Sequence, residues 1–184
     1  MNRVAPLLNL LNDLGVMETL NLAIYYLETY APKFKQSHPE EKWVGKHLEM
    51  IKIAILSGAM VELRANPILV NNSDKVSETL ASVIGGLRTA VLNMDDANKS
   101  IETVAEVISR TFMMEISERM EMVTPELSEK PSSSATTVQE AMNEKVMVSI
   151  RSRNNPLVVE LENNLWLGLA DEIQRRLELK DSNA

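Results

Sequence analysis

The sequence contains no cysteine and few aromatic residues. The absence of cysteine from its 184 residues excludes disulfides, thiolate nucleophiles and zinc sites with cysteine ligands. Aromatic residues make up only 4% of the chain, whereas methionine occurs eleven times. Methionine is unbranched and polarizable, so it fills irregular gaps between helices and adapts at contact surfaces. This composition favours a helical core filled by methionine and leucine, with a methionine-rich binding groove as the alternative.

Motifs that indicate catalysis or cofactor binding are also missing. If His38 and His47 are both helical, they lie on opposite faces because they are nine positions apart, so they cannot share a metal ion. Neither histidine has a glutamate three residues before it, as a di-iron bundle requires. Nucleophile elbows, phosphate-binding loops and dinucleotide-binding fingerprints are absent too. We therefore expect no catalytic residues, no metal ligands and no cofactor, in a protein that is not an enzyme.

Long apolar runs are missing as well. The longest, Ile53 to Val61, is about half of the ~18–20 residues that a membrane-spanning helix requires. Asn9, Asn12 and Asp13 interrupt the apolar start of the chain, which disfavours a signal peptide. The net charge of −7 argues against indiscriminate binding to phosphate backbones. We expect a cytoplasmic, intracellular protein that does not contact membranes, either free or within a larger assembly such as a virion.

Apolar residues at helical spacing predict a mainly α-helical fold that begins with a bundle of about five helices. Ser37 to Glu40 has the pattern of a capping box that opens the third helix, and Pro32 should end the second. Residues 50–61 are apolar on nearly every face, which predicts a central, buried helix. Gly85-Gly86 indicates a close helix crossing or a kink. The expected helices span residues 3–14, 16–31, 38–64, 75–92 and 97–123.

A polar stretch follows this bundle. Residues 126–136 contain one large apolar residue, Leu127, and cannot bury enough surface to offset the entropy lost on ordering. The sequence therefore predicts three parts. They are a helical bundle domain at 1–123, a flexible linker containing serine and proline at 124–137, and a C-terminal docking module at 138–184.

Two short runs in the C-terminal module alternate between apolar and other residues on either side of Asn154-Asn155-Pro156. This pattern predicts a β-hairpin, while a helix that continues through Met147 to Ile150 is the alternative. Asn163-Asn164 would then cap a final amphipathic helix. The apolar positions of the two runs are Val146, Val148 and Ile150, followed by Leu157, Val159 and Leu161.

The C-terminal module carries more apolar residues than a segment of about 45 residues can bury alone. We therefore expect it to dock on its own bundle or on a neighbouring copy, since a tether raises the effective concentration for docking. This predicts a non-enzymatic interaction or assembly protein, a structural subunit or adaptor, that binds itself as a homo-oligomer or binds another protein. The expected interface residues are Val146, Val148, Ile150, Leu157, Val159, Leu161, Leu165, Trp166, Leu169 and Ile173.

Basic residues in the same module suggest an alternative function. They could form a basic edge of a regulatory protein that binds nucleic acid. Glu160, Glu162 and Glu172 dilute this edge, and no aromatic pair is placed to stack on bases. The residues of this alternative are Lys145, Arg151, Arg153, Arg175 and Arg176.

Overall fold

A computed structural model describes residues 4–70, 74–128 and 147–182, and these residues are mainly helical. The described ranges contain no strand, so the prediction of a mainly α-helical protein is confirmed. Most of the predicted linker, together with Lys145 and Val146, lies outside these ranges. The helices are α1 Val4–Leu14, α2 Val16–Ser37, α3 Trp43–Ser57, α4 Met60–Ala65, α5 Lys75–Leu92, α6 Ala97–Ser128, α7 over residues 147–153 and α8 Pro156–Ser182.

The contacts between residues divide the chain into two compact units. Unit 1 comprises residues 1–111 and 172–184, and unit 2 comprises residues 112–171. Both boundaries fall inside helices, one in α6 and the other in α8. The predicted division around a polar linker stays a prediction, because residues 129–146 lie outside the described ranges.

Unit 1 is built around helices that each bury an apolar face. α2 packs against α1, α3 and α5, and α3 also packs against α4 and α5. Gly15 separates α1 from α2 with φ of +89°, a conformation that glycine adopts without steric strain. The fully buried side chains with the largest volumes in this unit include Leu11, Leu14, Leu20, Leu22, Leu27, Tyr30, Phe34, Ile51, Leu63, Leu80 and Ile84.

Pro32 lies inside α2 and does not end it, so this prediction is wrong. A proline in a helix interior is unfavourable by about 3 kcal/mol relative to alanine. The helix nevertheless continues to Ser37 and buries Phe34, which is 1% exposed. Burial of a phenylalanine contributes roughly 1.5–3 kcal/mol. We infer that core packing beyond the proline keeps the helix intact.

The predicted capping box at Ser37 is also wrong. The Ser37 hydroxyl donates to the carbonyl of Phe34 at 3.1 Å, so this residue belongs to the last turn of α2. α3 begins at Trp43. The residue pattern was present, but the tertiary position of Phe34 extends α2 through the serine.

The single helix expected over residues 38–64 is divided at Gly58. Gly58 has φ of +69° and its N–H donates to the carbonyl of Ala54 at 2.9 Å, which ends α3 in a left-handed turn. Leu56 and Val61 are 86% and 77% exposed. The prediction of a central helix buried on every face is therefore wrong for residues 56–61.

α5 and α6 approach closely at Gly86, as the paired glycines indicated. A Cβ atom at Gly86 would lie 3.0 Å from Cγ2 of Val107, whereas one at Gly85 would meet no described atom within 4 Å. The Asp74 side chain caps α5 by accepting from the N–H groups of Val76 and Ser77, each at 2.9 Å.

The predicted β-hairpin in the C-terminal module is wrong, because the described residues on both sides of Asn154 are helical. Asn155 Oδ1 accepts from the N–H of Leu157 at 2.9 Å, and Pro156 is the first residue of α8. An asparagine cap followed by proline is a favourable helix start. Asn163 and Asn164, expected to cap the final helix, are exposed residues within α8.

Candidate interaction surfaces

Unit 2 has a small apolar core. Ile116 and Val123 of α6 are buried with Val158 of α8, and Met120 and Leu165 pack against them. Residues 158 and 165 are two helical turns apart, so they share one face of α8. That helical stripe explains why the alternating run at 157–161 does not form a strand.

An aromatic pair and a hydroxyl pair add to this core. The rings of Phe112 and Trp166 meet edge to face, with centroids 5.3 Å apart and an interplanar angle of 88°. The hydroxyl oxygens of Thr124 and Ser152 lie 3.0 Å apart, and Ser152 is fully buried. These contacts attach α8 and α7 to the second half of α6.

The predicted interface residues have different environments. Ile150, Leu157 and Val159 are exposed, whereas Leu169 is buried in unit 2 and Ile173 is buried in unit 1. The side chains with intermediate exposure are Val148, Leu161, Leu165 and Trp166. The exposed members are therefore accessible to solvent, while the buried ones pack within the chain.

Four more exposed apolar side chains of unit 2 were not among the predicted interface residues. Met147 lies three positions before Ile150, which places both on one side of α7. The other three are Met113 and Met122 of α6 and Leu167 of α8. Met113 and Met122 lie off the apolar stripe of α6 in the sequence, and this was the signal that could have identified them. We call the exposed set Met113, Met122, Met147, Ile150, Leu157, Val159 and Leu167 the unit 2 apolar set.

The end of α8 forms an ion-pair network within unit 1. Arg176 Nη1 donates to Glu18 Oε2 of α2 at 3.0 Å, and Arg176 Nε donates to Glu172 Oε1 at 2.7 Å. Arg175 also binds Glu172, with two donor–acceptor distances of 2.8 and 2.7 Å. Glu172 therefore receives hydrogen bonds from two guanidinium groups.

The same segment binds the end of α1. Lys180 Nζ donates to the carbonyl oxygens of Asp13 and Leu14 at 3.0 and 3.3 Å. A cation beside terminal helix carbonyls is favourable because these groups carry partial negative charge. Ile173 is 1% exposed on the same part of α8. The last turns of the chain thus pack in cis, and we call Glu172, Arg176 and Lys180 the C-terminal clasp.

The pKa values of Glu172 and of the nearby Tyr26 differ from their ordinary values. Hydrogen bonds from Arg175 and then Arg176 hold the pKa of Glu172 at about 2, against an ordinary value of 4.5. Burial, followed by the neighbouring Tyr25 and Glu172, raises the pKa of Tyr26. Because Glu172 occupies both arginines, two of the five cations of the predicted basic edge already have an anionic partner.

The rest of that basic edge lies elsewhere. Arg151 and Arg153 belong to unit 2 and are exposed on either side of the buried Ser152. Lys145 lies outside the described residues. The nucleic-acid contact stays a prediction.

Ser37, His38 and Asp74 form a chain of polar contacts in unit 1. Ser37 Oγ lies 2.8 Å from His38 Nδ1, and His38 Nε2 lies 3.3 Å from Asp74 Oδ2. A serine nucleophile must present its proton to the histidine, but the Ser37 hydroxyl donates to the Phe34 carbonyl. Hydrogen bonds from the backbone and side chain of Ser77 hold the pKa of Asp74 at about 2. We infer that these contacts join the end of α2 to the start of α5.

Metal binding, membrane insertion and similarity to known proteins were considered separately. Over residues 4–70, 74–128 and 147–182, no group of three or more histidine, aspartate or glutamate residues could hold a metal ion. No helix within those ranges combines the length and apolar character needed to cross a membrane. Comparisons with protein-family models, curated proteins and solved structures found no significant match.

Proposed function

We propose that this chain is a non-enzymatic interaction or assembly protein that binds a second copy of itself through the unit 2 apolar set. The observation that carries the proposal is the distribution of apolar side chains in the two units. Among the described residues of unit 2, six large apolar side chains are buried and seven are exposed. In unit 1 the corresponding numbers are 25 buried and eight exposed. Unit 2 therefore exposes more large apolar side chains than it buries.

Single exposed apolar residues are normal on a protein surface, so the proportion matters more than the presence of any one. Burying a large apolar side chain contributes roughly 1.5–3 kcal/mol. An interface that covers several members of the set can offset the loss of translational and rotational freedom on association. Three of the seven are methionines, whose adaptable side chains suit a contact surface.

The C-terminal clasp supports the same proposal by holding one end of the molecule. Arg176 and Lys180 tie the last turns of α8 to α1 and α2 of the same chain. These contacts support docking in cis for residues 172–182. We assign docking in trans, the binding of a second copy, to the exposed residues of unit 2. The chain would then act as a structural subunit or adaptor.

Light scattering after size-exclusion chromatography, over a range of protein concentrations, tests the proposal. We expect the full chain to form a homo-oligomer. A double change of Ile150→Glu and Leu157→Glu should weaken association by at least about tenfold, because charge at an apolar interface is unfavourable. Leu56→Glu is the matched control, since it places the same charge at an exposed leucine of unit 1. Circular dichroism verifies that each variant remains helical.

Two outcomes would contradict the proposal. One is a full chain that is monomeric at every concentration, and the other is equal dissociation by the double variant and the Leu56→Glu control. Filter binding to DNA and RNA over a salt series separates the nucleic-acid alternative. Binding of nucleic acid by the wild type that is lost in the Arg151→Glu/Arg153→Glu variant would favour that alternative. The salt dependence of any remaining binding should then be smaller, because fewer phosphate contacts are made.

A further inference from the structure

The three methionines of the unit 2 apolar set each expose a large part of their surface. The exposed fractions are 47% for Met113, 61% for Met122 and 49% for Met147. A thioether that reaches solvent is open to oxidation by hydroperoxides, which convert it to a polar sulfoxide. The chain contains no cysteine, so no thiol of the same molecule competes for the oxidant. The three thioethers are therefore accessible targets for hydroperoxides on the proposed contact surface.

Two other methionines provide references for these three. Met17 of unit 1 is 47% exposed, the same fraction as Met113. Met114 follows Met113 in α6 but is only 6% exposed. Met17 thus matches the exposure of the set outside the proposed interface, and Met114 shows how a covered thioether of the same helix reacts. The described methionines of intermediate exposure are Met50, Met60, Met94 and Met120.

Met122 has a neighbour that suits its oxidised form. Arg119 Nη1 lies 4.0 Å from Met122 Sδ, about one helical turn earlier in α6. The sulfur of a thioether is only a weak acceptor. Oxidation adds an oxygen that is a much better acceptor, and hydrogen bonds from a guanidinium are stronger than those from neutral donors. Arg119 is thus placed to stabilise the sulfoxide of Met122 in the free chain.

We infer that Met113, Met122 and Met147 form an oxidation site through which hydroperoxides weaken self-association, an inference that rests on the proposed function. A lone pair of the sulfur attacks one peroxide oxygen, so that an S–O bond forms and the O–O bond breaks. The proton of the transferred oxygen passes to the leaving oxygen, which departs as water or an alcohol. The sulfur loses two electrons and the peroxide gains them. Each sulfoxide then brings a polar group without a partner into an apolar interface, which is unfavourable.

Association should in turn protect the same methionines. In the free chain, Met17 and Met113 should be oxidised at similar rates because their exposed fractions are equal. A second copy that covers the unit 2 apolar set excludes the oxidant from its thioethers but leaves Met17 accessible. We therefore expect oxidation of the three methionines, but not of Met17, to slow as the protein concentration rises. Met114 should be oxidised slowly at every concentration.

Timed treatment of the full chain with hydrogen peroxide tests the inference. Peptide mass spectrometry measures oxidation at each methionine, and light scattering measures association of the same samples. Oxidised wild type should associate at least about tenfold more weakly. Met113→Leu/Met122→Leu/Met147→Leu keeps the apolar volume, so it should associate like the wild type before and after peroxide. Met17→Leu is the matched control and should stay as sensitive as the wild type.

Reversal of the oxidation gives a second measurement. Methionine sulfoxide reductases act on one sulfoxide epimer each, so the two enzymes together restore the thioether. Treatment of the oxidised wild type with both should restore its association. Circular dichroism before and after each step verifies that the chain remains helical.

The outcomes separate this inference from the proposed function. An untreated chain that is monomeric at every concentration would contradict both. An untreated chain that associates, and still associates as tightly once the three methionines are oxidised, would overturn only the inference. Equal loss of association in the triple leucine variant would also overturn it, because the sensitive groups would then lie elsewhere. Failure of the reductases to restore association would do the same, since irreversible damage would then explain the loss.

Discussion

Unit 1 and unit 2 use the same secondary structure but distribute their apolar side chains differently. Large apolar side chains in unit 1 are mostly buried, whereas in unit 2 the exposed ones outnumber the buried ones over the described residues. The difference follows from how many helices surround each core. In unit 1, α2 is covered by α1, α3 and α5, so an apolar stripe on each helix finds a neighbour. The core of unit 2 rests on parts of two long helices and the short α7.

Core size has consequences for stability as well as for binding. A segment of fewer than about 70–80 residues rarely obtains enough burial from its own core to be stable alone. Unit 2 comprises residues 112–171 and has a cluster built from Ile116, Val123 and Val158. A partner that binds only the folded form of unit 2 would stabilise it by mass action.

The largest expected effect is the loss of stability when one leucine in the core of each unit is changed to alanine. Leu87→Ala in unit 1 removes a fully buried side chain and should lower the free energy of unfolding by about 3 kcal/mol. Leu165→Ala in unit 2 removes a partly buried one and should lower it by about 1–2 kcal/mol. Urea denaturation followed by circular dichroism measures both values. An equal or larger loss at Leu165 would contradict the comparison.

The next effect tests how tightly unit 1 is packed. Gly86→Leu introduces a side chain whose Cβ would lie 3.0 Å from Val107, so it should destabilise the protein by about 1–3 kcal/mol. Gly85→Leu is the control, since no described atom lies within 4 Å of that position. It should be neutral or stabilising because leucine has the higher helix propensity. Similar melting temperatures for the two variants would show that α5 and α6 do not meet closely at Gly86.

A smaller effect tests the helical structure of unit 2. Asn155→Ala removes the cap of α8 and should lower the free energy of unfolding by about 1 kcal/mol. Asn164→Ala lies within the same helix and should have no effect or increase stability by up to about 0.5 kcal/mol. The thermal unfolding of both variants gives the comparison. The reverse order of effects would restore Asn163-Asn164 as the start of the final helix.

The smallest effect concerns the clasp and its pH dependence. A carboxylate with a lowered pKa stabilises the folded protein above its ordinary pKa of 4.5, and this contribution is lost as the pH falls towards about 2. Glu172→Gln should therefore lower stability by less than about 1 kcal/mol at neutral pH. The difference from the wild type should shrink between pH 4.5 and 2. Glu160→Gln, at an exposed position of α8, is the control, and identical pH profiles for all three proteins would exclude the clasp as a stabilising feature.

Several features of the fold were predictable from local sequence patterns. α1, α5 and most of α6 were expected within a few residues of their observed bounds, because long runs with helical spacing carry a strong signal. The close approach at Gly86 was expected from a local pattern too, the pair of glycines. The exposure of Leu56 was not expected, because composition cannot tell which face of a short apolar helix meets a neighbour.

The positions of the candidate sites were harder to predict from the sequence. Ten apolar residues were expected at an interface, yet Leu169 and Ile173 are buried within the chain and Ile150 is exposed. The sequence shows that all three residues are apolar, but it does not show whether the surface that covers each of them belongs to the same chain.

Helix formation in this protein is therefore a local property, whereas the end of α2 and the packing partners of the helices are not. Spacing and composition were sufficient for a mainly helical chain without cysteine. The continuation of α2 past Pro32 depends on which side chains are buried. The pairing of Arg176 with Glu18 joins residues 158 positions apart. Such contacts form only after packing brings distant helices together, and for this physical reason they cannot be predicted from local sequence patterns.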